Sequence, residues 1–125
     1  MSRIRIIEGL PFIALELQAG GQTLTVDNVL VDSGSAACVF PADRMSKFGL
    51  VPLPGDRLFR IRSVGGYEYV FEKRIDRMRI GKLTVKDFPA EVGALDYGII
   101  VDGIIGVDFL TLTEAKLDFG SMELS

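Results

Sequence analysis

Turn signals recur at short intervals along this 125-residue chain, and the segments between them alternate apolar and polar residues. That pattern leaves short β-strands joined by tight turns as the main solution and little room for long helices. Residues 11–19 (PFIALELQA) alternate, Gly20-Gly21 offers a hairpin turn because glycine accepts positive φ, and 22–31 (QTLTVDNVLV) returns beside them. A second long hairpin is expected with 57–64 going out, Gly65-Gly66 turning and 67–80 coming back, before a further turn at Gly81-Lys82. Strands are expected at 83–87 and 90–95, then an apolar segment Ile99-Ile100-Val101 and a last strand at 115–119. One short helix should start with Pro41 as its first residue, run through Lys47 and stop at Gly49. No linker, low-complexity tract or tandem repeat divides the chain, so residues 1–125 are expected to form a single, mainly β domain.

Composition narrows the chemistry. The chain contains no histidine, which removes Ser-His-Asp and Cys-His catalysis and the common zinc sites together. Carboxylate chemistry, a lysine base or a metal held by oxygen ligands remain, and no Ser-x-x-Lys arrangement supports the lysine. The single cysteine, Cys38, sits among Ala36, Ala37, Val39 and Phe40 and is expected in the core. Net charge is −3 and the basic residues are scattered, which argues against a nucleic-acid partner. The longest apolar run, Tyr97 to Leu110, is interrupted by Asp102 and Asp108 and falls short of the roughly 20 residues of a membrane span. The N-terminus alternates like a strand where a signal peptide would be continuously apolar, so a cytoplasmic location is the default expectation. An apolar fraction of 48% and a mean hydropathy of +0.31 are high for a chain of this size. They point to apolar surface buried against a partner, with a homo-oligomer the simplest case.

The residues best suited to chemistry are Val29-Leu30-Val31-Asp32-Ser33-Gly34-Ser35, a carboxylate delivered by an apolar strand into a tight turn. Backbone N–H groups and a hydroxyl from Ser33 or Ser35 can orient Asp32, and Gly34 leaves its side open. Taken alone the tripeptide is also ordinary turn chemistry. The flanking pattern, however, resembles the catalytic loop of the pepsin/retropepsin family of aspartic proteases: two apolar residues, Asp, Thr or Ser, Gly, then a small residue. Downstream, Asp102-Gly103-Ile104-Ile105-Gly106-Val107-Asp108-Phe109-Leu110 is similar to the family's apolar-apolar-Gly segment leading into its C-terminal helix. Ile61-Arg62-Ser63-Val64-Gly65-Gly66-Tyr67 has the position and glycine content of the retropepsin flap, although for the glycine pair taken alone a plain hairpin turn is the better reading.

The resemblance implies a retropepsin-like acid protease fold: barrel-like, with a long flap hairpin and a short C-terminal helix. It also implies a catalytic loop made of Asp32, Ser33 and Gly34, and no cofactor or metal. Family chemistry needs two carboxylates sharing one proton, and this chain carries one such motif, since Ile104-Ile105-Gly106 has no aspartate at the matching place. A homodimer with Asp32 facing its own copy across a two-fold axis is the arrangement implied. Ser33 would then reach across the interface. A peptide or protein substrate would lie extended between the copies, bonded by the flap around Val64, Gly65 and Gly66, with apolar pockets lined by Leu30, Val64 and Ile104. In retropepsins the chain termini interleave between subunits, and Arg3–Ile7 and Lys116–Leu124 are the candidates here. Two other readings stay open at this level. One is a catalytically silent binding or assembly module of the same fold; the other is a metal-dependent hydrolase using Asp32 with Asp102 or Asp108.

Overall fold

Both long hairpins form from the segments whose alternation marks them as strands, although Gly66, expected in the second turn, is the first residue of a strand. The computed structural model describes residues 2–63, 66–95 and 100–125. Strand β3 (Leu10–Ala19) turns into β4 (Gln22–Val31) through Gly20 and Gly21, whose φ values of 56° and 79° are the left-handed pair that a two-residue hairpin matched to strand twist requires. The flap-like hairpin joins β6 (Leu58–Ser63) to β7 (Gly66–Ile80), with pairing that runs up to Ser63 opposite Gly66. Val64 and Gly65, expected at its tip, lie outside the described residues.

β7 turns at Gly81 into β8 (Leu83–Gly93), which is one strand where the sequence suggested two. Pro89 and the polar Lys86-Asp87 read as a break, yet the ladder passes through Pro89 and omits only the rung of Asp87, whose φ is 50°. Arg74 holds that residue, donating to the Asp87 carbonyl at 2.8 Å and facing its carboxylate at 3.3 Å. The late apolar strand is also shifted: β9 is Gly103–Ile105, not the Ile99–Val101 segment.

With β2 (Arg5–Ile7) and β5 (Val39–Pro41), these strands form one sheet in the order β2-β3-β4-β9-β5-β8-β7-β6. An additional pairing of β3 with β7 curls it into a barrel-like form. The mainly β, barrel-like architecture with a long flap-like hairpin expected from the sequence is therefore what the chain adopts. Pro41 ends β5 and precedes the short helix α1 (Ala42–Met45), instead of opening it; a 3-10 turn over Ser46–Phe48 follows, and Gly49 stops it with a φ of 76°. The second helix, α2, spans Val107–Leu112. None of the described helices is long and apolar enough to cross a membrane.

The central strands carry apolar residues on both faces. Val29 and Val31 of β4, Cys38 and Phe40, Ile105 of β9 and Phe109 of α2 share the main core. The intervening residues Leu30, Val39 and Ile104 pack with Phe12 and Val101 into a smaller cluster on the opposite face. Burial of residues on both faces locks the register, because a slip by one residue would exchange two apolar sets and expose Asp32's neighbours to the wrong side.

The chain ends form a separate three-stranded sheet, β1 (Ser2–Arg3), β11 (Glu123–Leu124) and β10 (Leu117–Asp118), in the order β1-β11-β10. The last strand is therefore shorter than the expected 115–119, and the polar tail contributes a strand of its own. Ile4 and Leu124 are buried in the main core, and the Ile4 N–H donates to the Met122 carbonyl at 2.8 Å. Termini that were candidates for a sheet between subunits thus pair within one chain.

Candidate active site

Asp32 follows directly on β4, and its position is set from two sides. Parallel pairing of β4 with β9 (Val29 with Gly103, Leu30 with Ile104, Val31 with Ile105) continues one step further, where the Asp32 N–H donates to the Ile105 carbonyl at 2.9 Å. The chain then reverses in a turn closed by Ser35 N–H donating to the Asp32 carbonyl at 3.1 Å. Within that turn the Gly34 N–H donates to Asp32 Oδ1 at 2.9 Å, an Asx-type contact that fixes the carboxylate plane. Among the described residues this is the carboxylate's sole hydrogen bond, so Oδ2 is free to meet another group. Asp32 is half-buried, and Ser33 beside it is exposed, with a hydroxyl that has no partner among the described residues.

Support comes from the start of α2, a feature the sequence signalled only through its glycine. Val107 N–H donates to the Ser35 carbonyl at 2.8 Å and Asp108 N–H to the Ala36 carbonyl at 3.3 Å, while the Ser35 hydroxyl donates to the Ala37 carbonyl at 2.8 Å. Gly106 is what permits this contact, because a Cβ there would stand 2.4 Å from the Ala37 oxygen and 2.7 Å from the Ser35 oxygen. The Asp32 loop and the helix start therefore lie backbone on backbone.

Asp108 is the second residue of α2. Its Oδ1 accepts from Phe109 N–H at 2.7 Å and from the Cys38 thiol at 3.3 Å. Burial pushes that thiol well above its ordinary pKa, with the Asp108 charge adding to the effect, so Cys38 is a packed and protonated core group, as its neighbours in sequence suggested. Asp102 is buried and paired with Arg44 of α1 at 2.9 Å. With Asp108 engaged by Cys38 and Asp102 by Arg44, neither carboxylate is presented to Asp32 as a co-ligand. Among the described residues no group of three or more acidic or sulfur side chains stands together as a metal site.

The expected pocket residues Leu30 and Ile104 are neighbours in register, one strand apart, and both are buried with Phe12, Val39 and Val101. They make a continuous apolar floor on the sheet face opposite the main core. Gly66 is placed in the hairpin opposite Ser63.

An acidic pair lies under the same region. Glu91 of β8 is directly opposite Glu72 of β7. Partial burial raises its pKa above the ordinary 4.5, with the Asp108 and Glu72 charges pushing the same way. A carboxyl held above its unfolded value favours the fold while protonated and loses that advantage as pH rises through the folded pKa. Glu91→Gln is therefore expected to melt higher than wild type at pH 7. The gap should close below the ordinary glutamate value, and thermal denaturation across that range checks it.

An apolar β-strand ends in a half-buried Asp-Ser-Gly turn, cross-braced by a parallel strand through Ile104-Ile105 and by the helix that follows Gly106. Residues 15–109 match the family model described as aspartyl protease, and the chain belongs to that family. It is an aspartic peptidase. Among solved structures it is similar to a retropepsin-like aspartic protease from Rickettsia conorii, at 18% identity and a TM-score of 0.67, covering 94% of this chain and 83% of that one. No curated protein matches it.

Proposed function

We propose that residues 1–125 act as one domain of a homodimeric endopeptidase in which Asp32 of each copy meets its counterpart across a two-fold axis. The observation that carries this is the state of the Asp32 turn: one carboxylate oxygen is fixed by Gly34 N–H, and among the described residues neither the other oxygen nor the exposed Ser33 hydroxyl beside it has a partner. Half of a dyad presented in this way is completed by the same residues arriving from a second copy.

The chemistry follows from one proton shared by two carboxylates. The ionised Asp32 takes a proton from water as the water oxygen bonds to the scissile carbonyl carbon, and the protonated Asp32 of the second copy polarises the carbonyl oxygen. Collapse of the tetrahedral adduct breaks the C–N bond, and the amine leaves with the proton that the dyad returns. Two like charges about 3 Å apart cannot both ionise, the general property of such dyads, which is why one proton persists there. The flap hairpin supports an extended substrate backbone as an added strand would, a part the family resemblance gives to Val64, Gly65 and Gly66, while Leu30 and Ile104 underlie apolar side-chain pockets.

Digestion of a peptide library between about pH 4 and 7, at a series of enzyme concentrations, tests the scheme. Cleavage is expected with an optimum on the acid side of neutrality and a specific activity that climbs as copies pair. A statine-type transition-state analogue should inhibit it and a chelator should not. Dimers that cleave nothing under any of these conditions would make the protein a silent binding module instead.

A further inference from the structure

We infer that Glu91 selects substrates carrying a lysine or arginine near the scissile bond, by presenting its carboxylate at the far end of the apolar floor on which the substrate lies. The inference rests on the reading that this floor carries an extended peptide, and it names the kind of side chain that the peptide brings.

Register places Glu91 there. Phe12 of β3 opposes Leu30 of β4, Leu30 opposes Ile104 of β9, and Ile104 opposes Val39 of β5. Val39 in turn opposes Glu91 of β8, and Glu91 opposes Glu72 of β7. Directly opposed residues share a face, so these six form one row across the sheet. The apolar members are buried together on the face away from the main core. Val92 and Phe71, chain neighbours of the two acids, belong to the main core, so Glu91 and Glu72 point to the floor side. A surface that is apolar across four strands thus ends in a carboxylate.

The fold supplies no cation to it. Among the described residues no ion pair joins Glu91 or Glu72 to a base, and the bases around the row are committed elsewhere. Arg74, two residues along β7 from Glu72, is held by the Asp87 carbonyl at 2.8 Å and its carboxylate at 3.3 Å. Arg57, whose carbonyl accepts from Glu72 N–H at 3.0 Å, lays its guanidinium over the Phe59 ring at 4.6 Å. Arg44 of α1 pairs with Asp102, and Lys73 pairs with Asp56 at 2.7 Å. β5 brings only Val39 and the protonated Cys38 beside Glu91, and the charges acting on it, from Glu72 and from Asp108 of α2, are negative. A partly buried carboxylate in such company is costly unless a cation reaches it.

The surroundings fit a long basic side chain. Gly93, the next residue of β8 on this face, has no side chain, and a Cβ there would stand 2.5 Å from Val70 Cγ1. Val70 therefore closes over Gly93 and, with Val39, flanks Glu91 with apolar surface. The methylenes of a lysine or arginine can lie along that surface while the charged head meets the carboxylate. Glu91 is three strands from Leu30, roughly 14 Å at ~4.8 Å per strand, which an extended chain covers in about four residues. The base is thus within about four positions of the bond that is cut.

Digestion of a synthetic peptide library, with lysine, arginine, glutamine or norleucine placed at each position in turn, tests the assignment. Wild type should favour lysine and arginine over norleucine and glutamine by about tenfold or more in kcat/KM at one position near the cut. Glu91→Gln should lose this preference, Glu91→Asp should keep part of it, and Glu91→Lys should rank the basic peptides below the norleucine ones. A merely structural role for Glu91 would change the rates on all peptides alike and leave their ranking intact. The preference should also weaken as pH falls through the folded pKa of Glu91, which partial burial holds above its ordinary value, because a protonated carboxyl no longer attracts a cation. A wild type indifferent to the base, or a Glu91→Gln protein with the same preference, would overturn the inference. Binding of the same peptides to Asp32→Asn protein, with and without Glu91→Gln, is read by fluorescence anisotropy and needs no cleavage. Tighter binding of the basic peptides that Glu91→Gln abolishes would leave the subsite standing even if wild type hydrolyses nothing, which would refute the proposed activity alone. Equal binding of basic and norleucine peptides, or binding of neither, would overturn the subsite.

Discussion

Asp32→Asn is expected to reduce peptide cleavage by ~10³-fold or more while leaving the melting temperature close to wild type. The small structural effect follows from the contacts. Asparagine keeps an oxygen able to accept the Gly34 N–H at 2.9 Å, and the backbone bonds from Asp32 N–H to Ile105 and from Ser35 N–H to Asp32 do not involve the side chain. The large catalytic effect follows because an amide neither takes a proton from water nor holds the one the dyad shares. A mixing experiment adds what the single variant does not show. If each active centre takes Asp32 from two copies, an equal amount of Asp32→Asn protein, allowed to exchange subunits, diverts wild-type chains into inactive pairs and lowers wild-type activity to about half by random pairing. Wild-type activity that is unchanged by the added variant would mean that each chain works alone, and equal cleavage by both proteins would remove Asp32 from the mechanism.

Residues that carry local, periodic information were the legible ones. Gly20-Gly21 and the alternation on either side fixed the first hairpin to within a residue at each end, because turn geometry and strand period are written in adjacent positions. Asp32 was legible for the same reason, being an acid placed after three apolar residues and before a glycine. Contacts between distant segments were not legible. Nothing in the spacing of Arg44 and Asp102 announces a 2.9 Å ion pair, and the fusion of 83–87 with 90–95 follows from pairing along the distant strand β7. The terminal sheet was hidden because its strands are two residues long, too short for any periodicity to show. Gly106 lies between these extremes: its place after Ile104-Ile105 could be read, whereas the reason for a glycine there required knowing what it meets.

That reason gives the largest stability effect expected from a single added methyl group. Gly106→Ala would place a Cβ 2.4 Å from the Ala37 carbonyl oxygen, 2.7 Å from its carbon and 2.7 Å from the Ser35 oxygen, all of them backbone atoms. A side chain could rotate aside, but here the loop carrying Asp32 must itself move, breaking the bonds from Val107 and Asp108 N–H to Ser35 and Ala36. Overpacking of this kind costs about 3 kcal/mol or more when the neighbours cannot yield, which corresponds to a fall in melting temperature on the order of 10 °C for a chain of this size. Cleavage should disappear with it, even at temperatures where the variant remains folded, since the displaced loop no longer presents Asp32. Gly34→Ala is the informative contrast. Its Cβ would meet Asp32 Oδ1 at 3.1 Å, and a carboxylate can turn by a few tenths of an ångström. Stability should therefore change little while turnover falls, because the group that yields is the one that does the chemistry. Thermal melts beside rate measurements on the two variants separate the effects; a Gly106→Ala protein with wild-type melting and wild-type turnover would show that the loop and helix start are not in contact as described.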